Sequence, residues 1–355
     1  MSKALRGYAG RRVLVTGHTG FKGSWLCSLL CHLDSEVLGY ALPPLREEDH
    51  FNVIGLEQKI THREADILNF EQLRKTAEDF QPEFVFHLAA QALVRPSYEE
   101  PKLTFDTNVA GSVNVLECIR TSESVKALVY ITSDKCYRNR EWIWGYRETD
   151  ELGGTDPYGA SKAAAEMVFR GYLESFFRKR SGVGAASVRA GNVIGGGDWA
   201  EDRILPDAIR ALIANAPIPV RNPDAIRPWQ HVLEPVTAYL YLGLKLRDHP
   251  EAFSGAWNFG PGEDCFVSVG SLVTEVIERW GSGVMEHAPE SQAPPEASIL
   301  SLNCDKASRC LGWRSRWDFH QAVARTVDWY KAVANGKAAA DVTRGQLQEY
   351  LGDTP

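Results

Sequence analysis

A short apolar, β-branched run, Arg12-Val13-Leu14-Val15-Thr16, passes directly into Gly17-His18-Thr19-Gly20-Phe21-Lys22-Gly23. Apolar residues then recur at helical spacing: Trp25, Leu26, Leu29, Leu30 and Leu33. Strand, glycine turn and helix in immediate succession restrict the fold more than any other stretch of the chain. Glycines permit the tight turn and a close approach of backbone to a pyrophosphate, and the helix start offers free N–H groups and a positive dipole end. The spacing is G-x-x-G-x-x-G, and at this point a purely structural turn is an equal reading.

The alternation continues. A second strand at residues 36–40 ends in Ala41-Leu42-Pro43-Pro44, without the acid that would bind the adenosine ribose of NAD, so NAD and NADP stay open at that position. Further strands are expected at 60–65, closing on Asp66-Ile67, at 84–88, running into Ala89-Ala90-Gln91, at 127–132, and at 185–189. Helix-length segments separate them, including an amphipathic stretch to Phe80 and a long helix at about 105–119. This pattern predicts an α/β protein with a Rossmann-type doubly wound parallel sheet. After Arg189 the regularity fades through a Gly-, Asn- and Asp-rich segment, 191–202. We expect residues 1–190 to form the dinucleotide-binding domain with the catalytic groups. Residues 191–335 then form a smaller, mostly helical substrate lobe that includes a strand-like piece at 257–259, with exchange of chain between the lobes left open, and polar, alanine-rich 336–355 forms a partly mobile tail.

Composition removes other function classes. The 355 residues carry a net charge of −7 with no basic block, which argues against a nucleic-acid or anionic-membrane partner. Met1 to Gly10 holds no apolar signal core and no run approaches bilayer length, so a cytoplasmic protein is expected. The seven cysteines are odd in number and lack a Cys-x-x-Cys, which suits neither a disulfide framework nor a zinc site. Cys27, Cys31 and His32 share one predicted helix, where small buried residues are the better reading than a metal site, and no metal is expected.

Tyr158-Gly159-Ala160-Ser161-Lys162 places a phenol and an ammonium at i and i+4 of a helix. A neighbouring cation favours the phenolate, which makes Tyr158 a candidate base for an alcohol proton. Tyr-x-x-x-Lys alone is common. Upstream, Thr132-Ser133-Asp134-Lys135 brings a hydroxyl, an acid and an amine together.

With the glycine turn, Asp66-Ile67, Leu88-Ala89-Ala90, Asn108 in Thr-Asn-Val-Ala-Gly, and Tyr158/Lys162, residues 11–330 resemble the extended short-chain dehydrogenase/reductase family of sugar-nucleotide enzymes. Three stretches narrow the match: Thr132 to Tyr137, Arg189 to Trp199 followed by Asp202 to Asp207, and Arg227-Pro228-Trp229-Gln230-His231-Val232. They point to the 4,6-dehydratases of the family, with CDP-glucose the implied substrate and NAD the implied cofactor. The resemblance implies that Tyr158, Lys162 and Ser133 serve oxidation at C4, with Asp134 and Lys135 as acid and base for elimination of water across C5–C6. In that role Asp134 must hold its proton and Lys135 must be neutral; the alternative for Lys135 is to polarise the ketone or anchor Asp134, and for Asp134 a structural carboxylate. Cofactor contacts are implied at Gly17, His18, Gly20, Phe21, Lys22, Gly23, Asp66, Ile67, Leu88, Ala89 and Ala90, together with Tyr158 and Lys162. Asn192, Arg203 and Arg227 are the implied substrate ligands, a surface salt bridge being the other reading of Arg203.

His18 and Lys22 depart from the small and apolar residues usual at those places, which bears on cofactor affinity. The insertion Glu141-Trp142-Ile143-Trp144-Gly145-Tyr146 lids the sugar pocket, packs the lobes together or forms a dimer contact; packing is the preferred reading. Family members pair through two long helices, here about 105–120 and 158–177, which implies a homo-oligomer. A sugar-nucleotide 4-epimerase and a non-catalytic dinucleotide-binding regulator are the competing functions.

Overall fold

The computed structural model describes residues 2–179, 182–288 and 299–352. Strands β1 (Arg12–Thr16), β2 (Glu36–Ala41), β3 (Thr61–Glu64), β4 (Phe84–His87), β5 (Ala127–Ile131), β6 (Gly184–Ala190) and β7 (Gly255–Phe259) make one sheet in the order β7-β6-β5-β4-β1-β2-β3. Every neighbouring pair is parallel. The main helices are α1 (Phe21–His32), α2 (Phe70–Phe80), α3 (Ser112–Thr121), α4 (Pro157–Tyr172), α5 (Ile204–Ile213), α6 (Leu233–Asp248), α7 (Val269–Trp280), α8 (Phe319–Ala334) and α9 (Ala339–Leu351).

Alternation along the strands sends side chains to two cores. Val13 and Val15 of β1 join Trp25 and Leu29 of α1 and Val236 and Leu240 of α6. Leu14 faces the other way, with Leu73 of α2, Leu116 of α3 and Phe169 of α4. Both faces are covered, as a parallel sheet requires. The order of strands reverses between β1 and β4, so a crevice opens at their C-terminal ends, where ligands bind in such sheets.

The structure corrects two expectations. The piece at 257–259 belongs to the main sheet: β7 pairs with β6 over Gly255–Phe259, and Trp257 and Phe259 are buried in the larger core. The segment expected as a mobile tail is helix α9, whose Thr343, Leu347, Tyr350 and Leu351 are buried. Their spacing makes one helical face, which is diluted in the sequence by the alanines and polar residues around it. Thr343 reaches His50 at 3.1 Å, and the Tyr350 hydroxyl donates to Glu234 of α6 at 2.6 Å. The larger core therefore runs from Leu5 to Leu351 through both expected lobes.

Candidate active site

The crevice begins at the glycine turn. Gly17 has φ +75°, and a Cβ there would fall 2.5 Å from the Ala89 nitrogen beyond β4. A Cβ at Gly23 would fall 2.1 Å from the Gly17 carbonyl oxygen, so α1 starts tight against the turn. Gly20 caps α1 in extended conformation, leaving the first N–H groups of the helix at the crevice. Leu88 N donates to the Thr16 carbonyl at 3.0 Å and Ala89 N to Thr16 Oγ1 at 3.3 Å, which holds the strand ends in register. Asp66 Oδ1 accepts from Leu68 N at 2.9 Å beyond β3, and buried Ile67 packs toward Gly111. This cradle of bare backbone at a helix start fits a dinucleotide.

His18 stays out of the turn. Its ring lies over β2, where a Cβ at Gly39 would fall 2.4 Å from it, and its Nε2 is 2.7 Å from His62 Nδ1. Burial, and then the neighbouring His62, lower its pKa to about 3, so the imidazole is neutral. Lys22 lies within electrostatic reach of Arg203, Asp134 and Asp198, which act on its ammonium. Burial first, then Arg203, bring it to about 8, against the pull of the two carboxylates. Phe21 packs on the core beside Gly195.

The Ser133 side chain caps the turn Asp134–Cys136 by accepting from Lys135 N at 3.2 Å, and it donates to Asp134 Oδ1 at 3.0 Å. Asp134 is 4% exposed, and a Cβ on Gly191 would lie 3.2 Å from its Oδ2. Helix α4 opens with Asp156 accepting from Gly159 N at 2.9 Å and with Pro157 in its first turn. It then buries Tyr158, Ser161 and Lys162 in succession. A π-helical stretch, Asp106–Gly111, precedes α3 and carries Asn108, which donates to Ser161 Oγ at 2.9 Å and accepts from Gln91 N at 2.9 Å. The β4 end and α4 are thereby tied together one residue before Lys162.

The electrostatics differ from the expectation of a phenol made acidic by Lys162. Burial pushes Tyr158 up to about 12; the Ser133 hydroxyl and the Arg203 charge act downward, Asp134 upward. Lys162 is brought down to about 8 by burial and then by Lys22. Lys22 opposes the Lys162 charge in a buried space, and burial favours the protonated phenol.

Arg203 donates to buried Asp198 at 2.9 Å and is close enough to Tyr158 for each charge to act on the other. Arg203 is thus ion-paired to a buried carboxylate within electrostatic reach of Tyr158. Asp198 is presented by Gly195-Gly196-Gly197, where a Cβ on Gly196 would fall 2.1 Å from the Trp329 ring. Asn192 lies on the loop beside Asp134, its carbonyl accepting from Gln230 N at 3.3 Å. Arg227 sits on a short ribbon, Ile226–Pro228 against Phe266–Ser268, next to Pro228, whose ring lies near Gly191, and its guanidinium donates to the Ile226 carbonyl at 2.9 Å. In the insertion, Trp142 stacks on Tyr146 at 5.2 Å and packs against Cys136, Tyr137 and Ala163, whereas Ile143 and Trp144 face solvent. Among the described residues no group of three or more His, Cys, Asp and Glu converges as metal ligands, and no helix is long and apolar enough to cross a membrane.

Sequence reasoning passed over Glu166, and quoted Asp198, Arg189 and Asn108 only as motif letters. Glu166 stands four residues after Lys162, and Arg189 ends an otherwise apolar strand, so a charge at a buried position was the available signal.

The family described as GDP-mannose 4,6 dehydratase matches residues 14–326. The chain belongs to that family. Within it, the chain is 44% identical over 351 residues to the CDP-glucose 4,6-dehydratase of Salmonella typhimurium, covering 98% of each protein. The fold is that of the dTDP-glucose 4,6-dehydratase of Bacillus anthracis in complex with NAD, at a TM-score of 0.77 and 20% identity, covering 93% of this chain and 100% of that one. A Thermus thermophilus UDP-glucose 4-epimerase complex with NAD is 26% identical at a TM-score of 0.75, covering 90% and 99%. Family membership sets the architecture and leaves the outcome at the sugar to the residues around Tyr158.

Proposed function

We propose that the chain catalyses NAD-dependent dehydration of CDP-glucose to CDP-4-keto-6-deoxyglucose. The observation that supports the reading is the turn Ser133-Asp134-Lys135, which carries an acid and an amine and packs its backbone against Gly159 at the start of α4, where Tyr158 and Lys162 are buried. An epimerase has no work for those two groups. Gly17, Gly20, Gly23 and the start of α1 would hold the pyrophosphate of NAD, whose nicotinamide would supply hydride acceptance and hydride return at the sugar.

Tyr158 takes the proton of the sugar 4-hydroxyl, with Ser133 hydrogen-bonding the same oxygen and Lys162 favouring the phenolate. The 4-ketone acidifies the C5 hydrogen, which Lys135 removes as a base and gives back to C5 when C6 is reduced. Asp134 gives its proton to the departing 6-hydroxyl, which leaves as water. Arg203, Asn192 and Arg227 hold the nucleotide diphosphate, guanidinium matching phosphate geometry. The 44% identical relative supports the choice of nucleotide.

The reading places the enzyme in the cytoplasm and as a homo-oligomer. Leu103, Phe105, Met167 and Phe176 are exposed on and beside α3 and α4, which suits pairing through those helices. The test is incubation with CDP-, dTDP-, UDP- and GDP-hexoses and mass spectrometry of the nucleotide sugars. Loss of one water from CDP-glucose alone supports the proposal. A stereoisomer at unchanged mass contradicts it.

A further inference from the structure

Glu166 is buried on α4 and accepts four hydrogen bonds. They come from Thr132 Oγ1 at 2.5 Å, Ser187 Oγ at 2.8 Å, and Arg189 Nε and Nη2 at 2.9 and 2.8 Å. The side chains of Arg189 and Glu166 are 4% and 3% exposed. Arg189 Nη1 donates onward to the Tyr137 hydroxyl at 2.6 Å and to the Glu148 carbonyl at 3.2 Å. Tyr137 donates to Asn258 Oδ1 at 2.9 Å, and Asn258 donates to the Tyr146 carbonyl at 2.8 Å.

A buried ion pair is weak evidence for stability, because a well-packed apolar pair serves a core as well. An apolar pair cannot hold several elements at fixed angles, and that is what this network does. Glu166 lies four residues after Lys162 and eight after Tyr158, on the same face of α4. Thr132 immediately precedes Ser133. Ser187 and Arg189 belong to β6, and Tyr137, Tyr146 and Glu148 flank the tryptophan-bearing insertion.

We propose that Glu166 and Arg189 are positioning residues for the dehydration: their pair sets the Tyr158–Lys162 face of α4 against the Ser133–Lys135 turn and ties both to the insertion. Neither residue touches the reacting atoms. The inference rests on the roles proposed for Tyr158 and Lys162. Glu166 also acts at a distance, since its charge favours the Lys162 ammonium while Lys22 opposes it.

The test compares Glu166→Gln, Thr132→Val and Tyr158→Phe in enzyme supplied with NAD. Glu166→Gln is expected to lower kcat by about tenfold or more and leave KM for CDP-glucose within about twofold. Its alkaline kcat limb moves to lower pH, because the Lys162 ammonium loses a favourable charge. Thr132→Val keeps the ion pair and is expected to lower kcat by about three- to tenfold with the limb unmoved. Wild-type kcat and limb in both variants, or losses confined to KM, overturn the proposal. If Glu166→Gln fails to fold, Thr132→Val and Ser187→Ala decide it, and wild-type kcat in both is the contrary result. Wild-type kcat in Tyr158→Phe defeats the underlying reading of Tyr158 and leaves the positioning role to be judged by the other variants.

Discussion

The Lys162 ammonium stands 5.9 Å from the centroid of the Tyr158 ring, one helical turn away, and both side chains are buried. At that distance and depth the two groups share one electrostatic problem, since each charged form is disfavoured by burial. The first consequence concerns pH. Lys162 loses its proton as pH rises through about 8, so kcat is expected to fall along an alkaline limb near that pH. Lys22 is the second cause of the shift, and Lys22→Met is expected to move the limb upward. A kcat–pH profile of the two proteins checks it; an unmoved limb removes Lys22 from the account.

A buried lysine also costs stability. Its folded pKa of about 8 lies below the ordinary lysine value of 10.5, so the penalty is fully present below pH 8 and is lost as pH rises from 8 toward 10.5. Lys162→Met is therefore expected to stabilise the dinucleotide-free protein by about 3 kcal/mol at pH 7, with the gain shrinking above pH 8 and activity abolished. Urea denaturation at pH 7 and pH 10 measures the difference. Equal gains at both values contradict the burial argument.

Asp198 holds Arg203 at 2.9 Å and itself accepts from Ala200 N at 3.1 Å. Asp198→Asn weakens that hold and is expected to raise KM for the nucleotide sugar by about tenfold with a smaller change in kcat. Steady-state kinetics give the answer, and an unchanged KM assigns Arg203 to the scaffold alone.

Helix α9 closes the core through Tyr350. Tyr350→Phe removes one of the donors to buried Glu234, whose other partners are Arg316 N at 3.0 Å and Trp317 N at 2.9 Å. The expected cost is about 1–2 kcal/mol in thermal or urea unfolding. Leu347→Ala is expected to cost about 2–4 kcal/mol. Wild-type stability in both would return residues 339–351 to the role of a tail.

Six of the seven strands were legible, most of them as β-branched or apolar runs bounded by turn residues and the polar β3 by its place between Ile60 and Asp66-Ile67, and alternation with helix-length segments implied the parallel order. β7 was misplaced because Gly-Ala-Trp-Asn-Phe carries no β-branched residue and follows a long helical region. α9 was misread because its buried face is spread among alanine, threonine and glutamine. At the site, chemistry-bearing pairs at fixed spacing announced themselves, as with Tyr158 and Lys162. Glu166 and Arg189 did not, since their meaning depends on β6 lying beside α4, a contact that spacing cannot show. The burial that pushes the Tyr158 phenol up was not visible, because helical spacing displays the neighbouring cation and conceals its surroundings.

The central claim is that one active site oxidises C4, eliminates water and returns the hydride to C6. Incubating the enzyme with CDP-glucose carrying deuterium at C4, with catalytic NAD, tests it in one measurement. The account predicts a product one water lighter with the deuterium at C6, read by mass spectrometry and NMR. Deuterium retained at C4 of a stereoisomer of unchanged mass would contradict it.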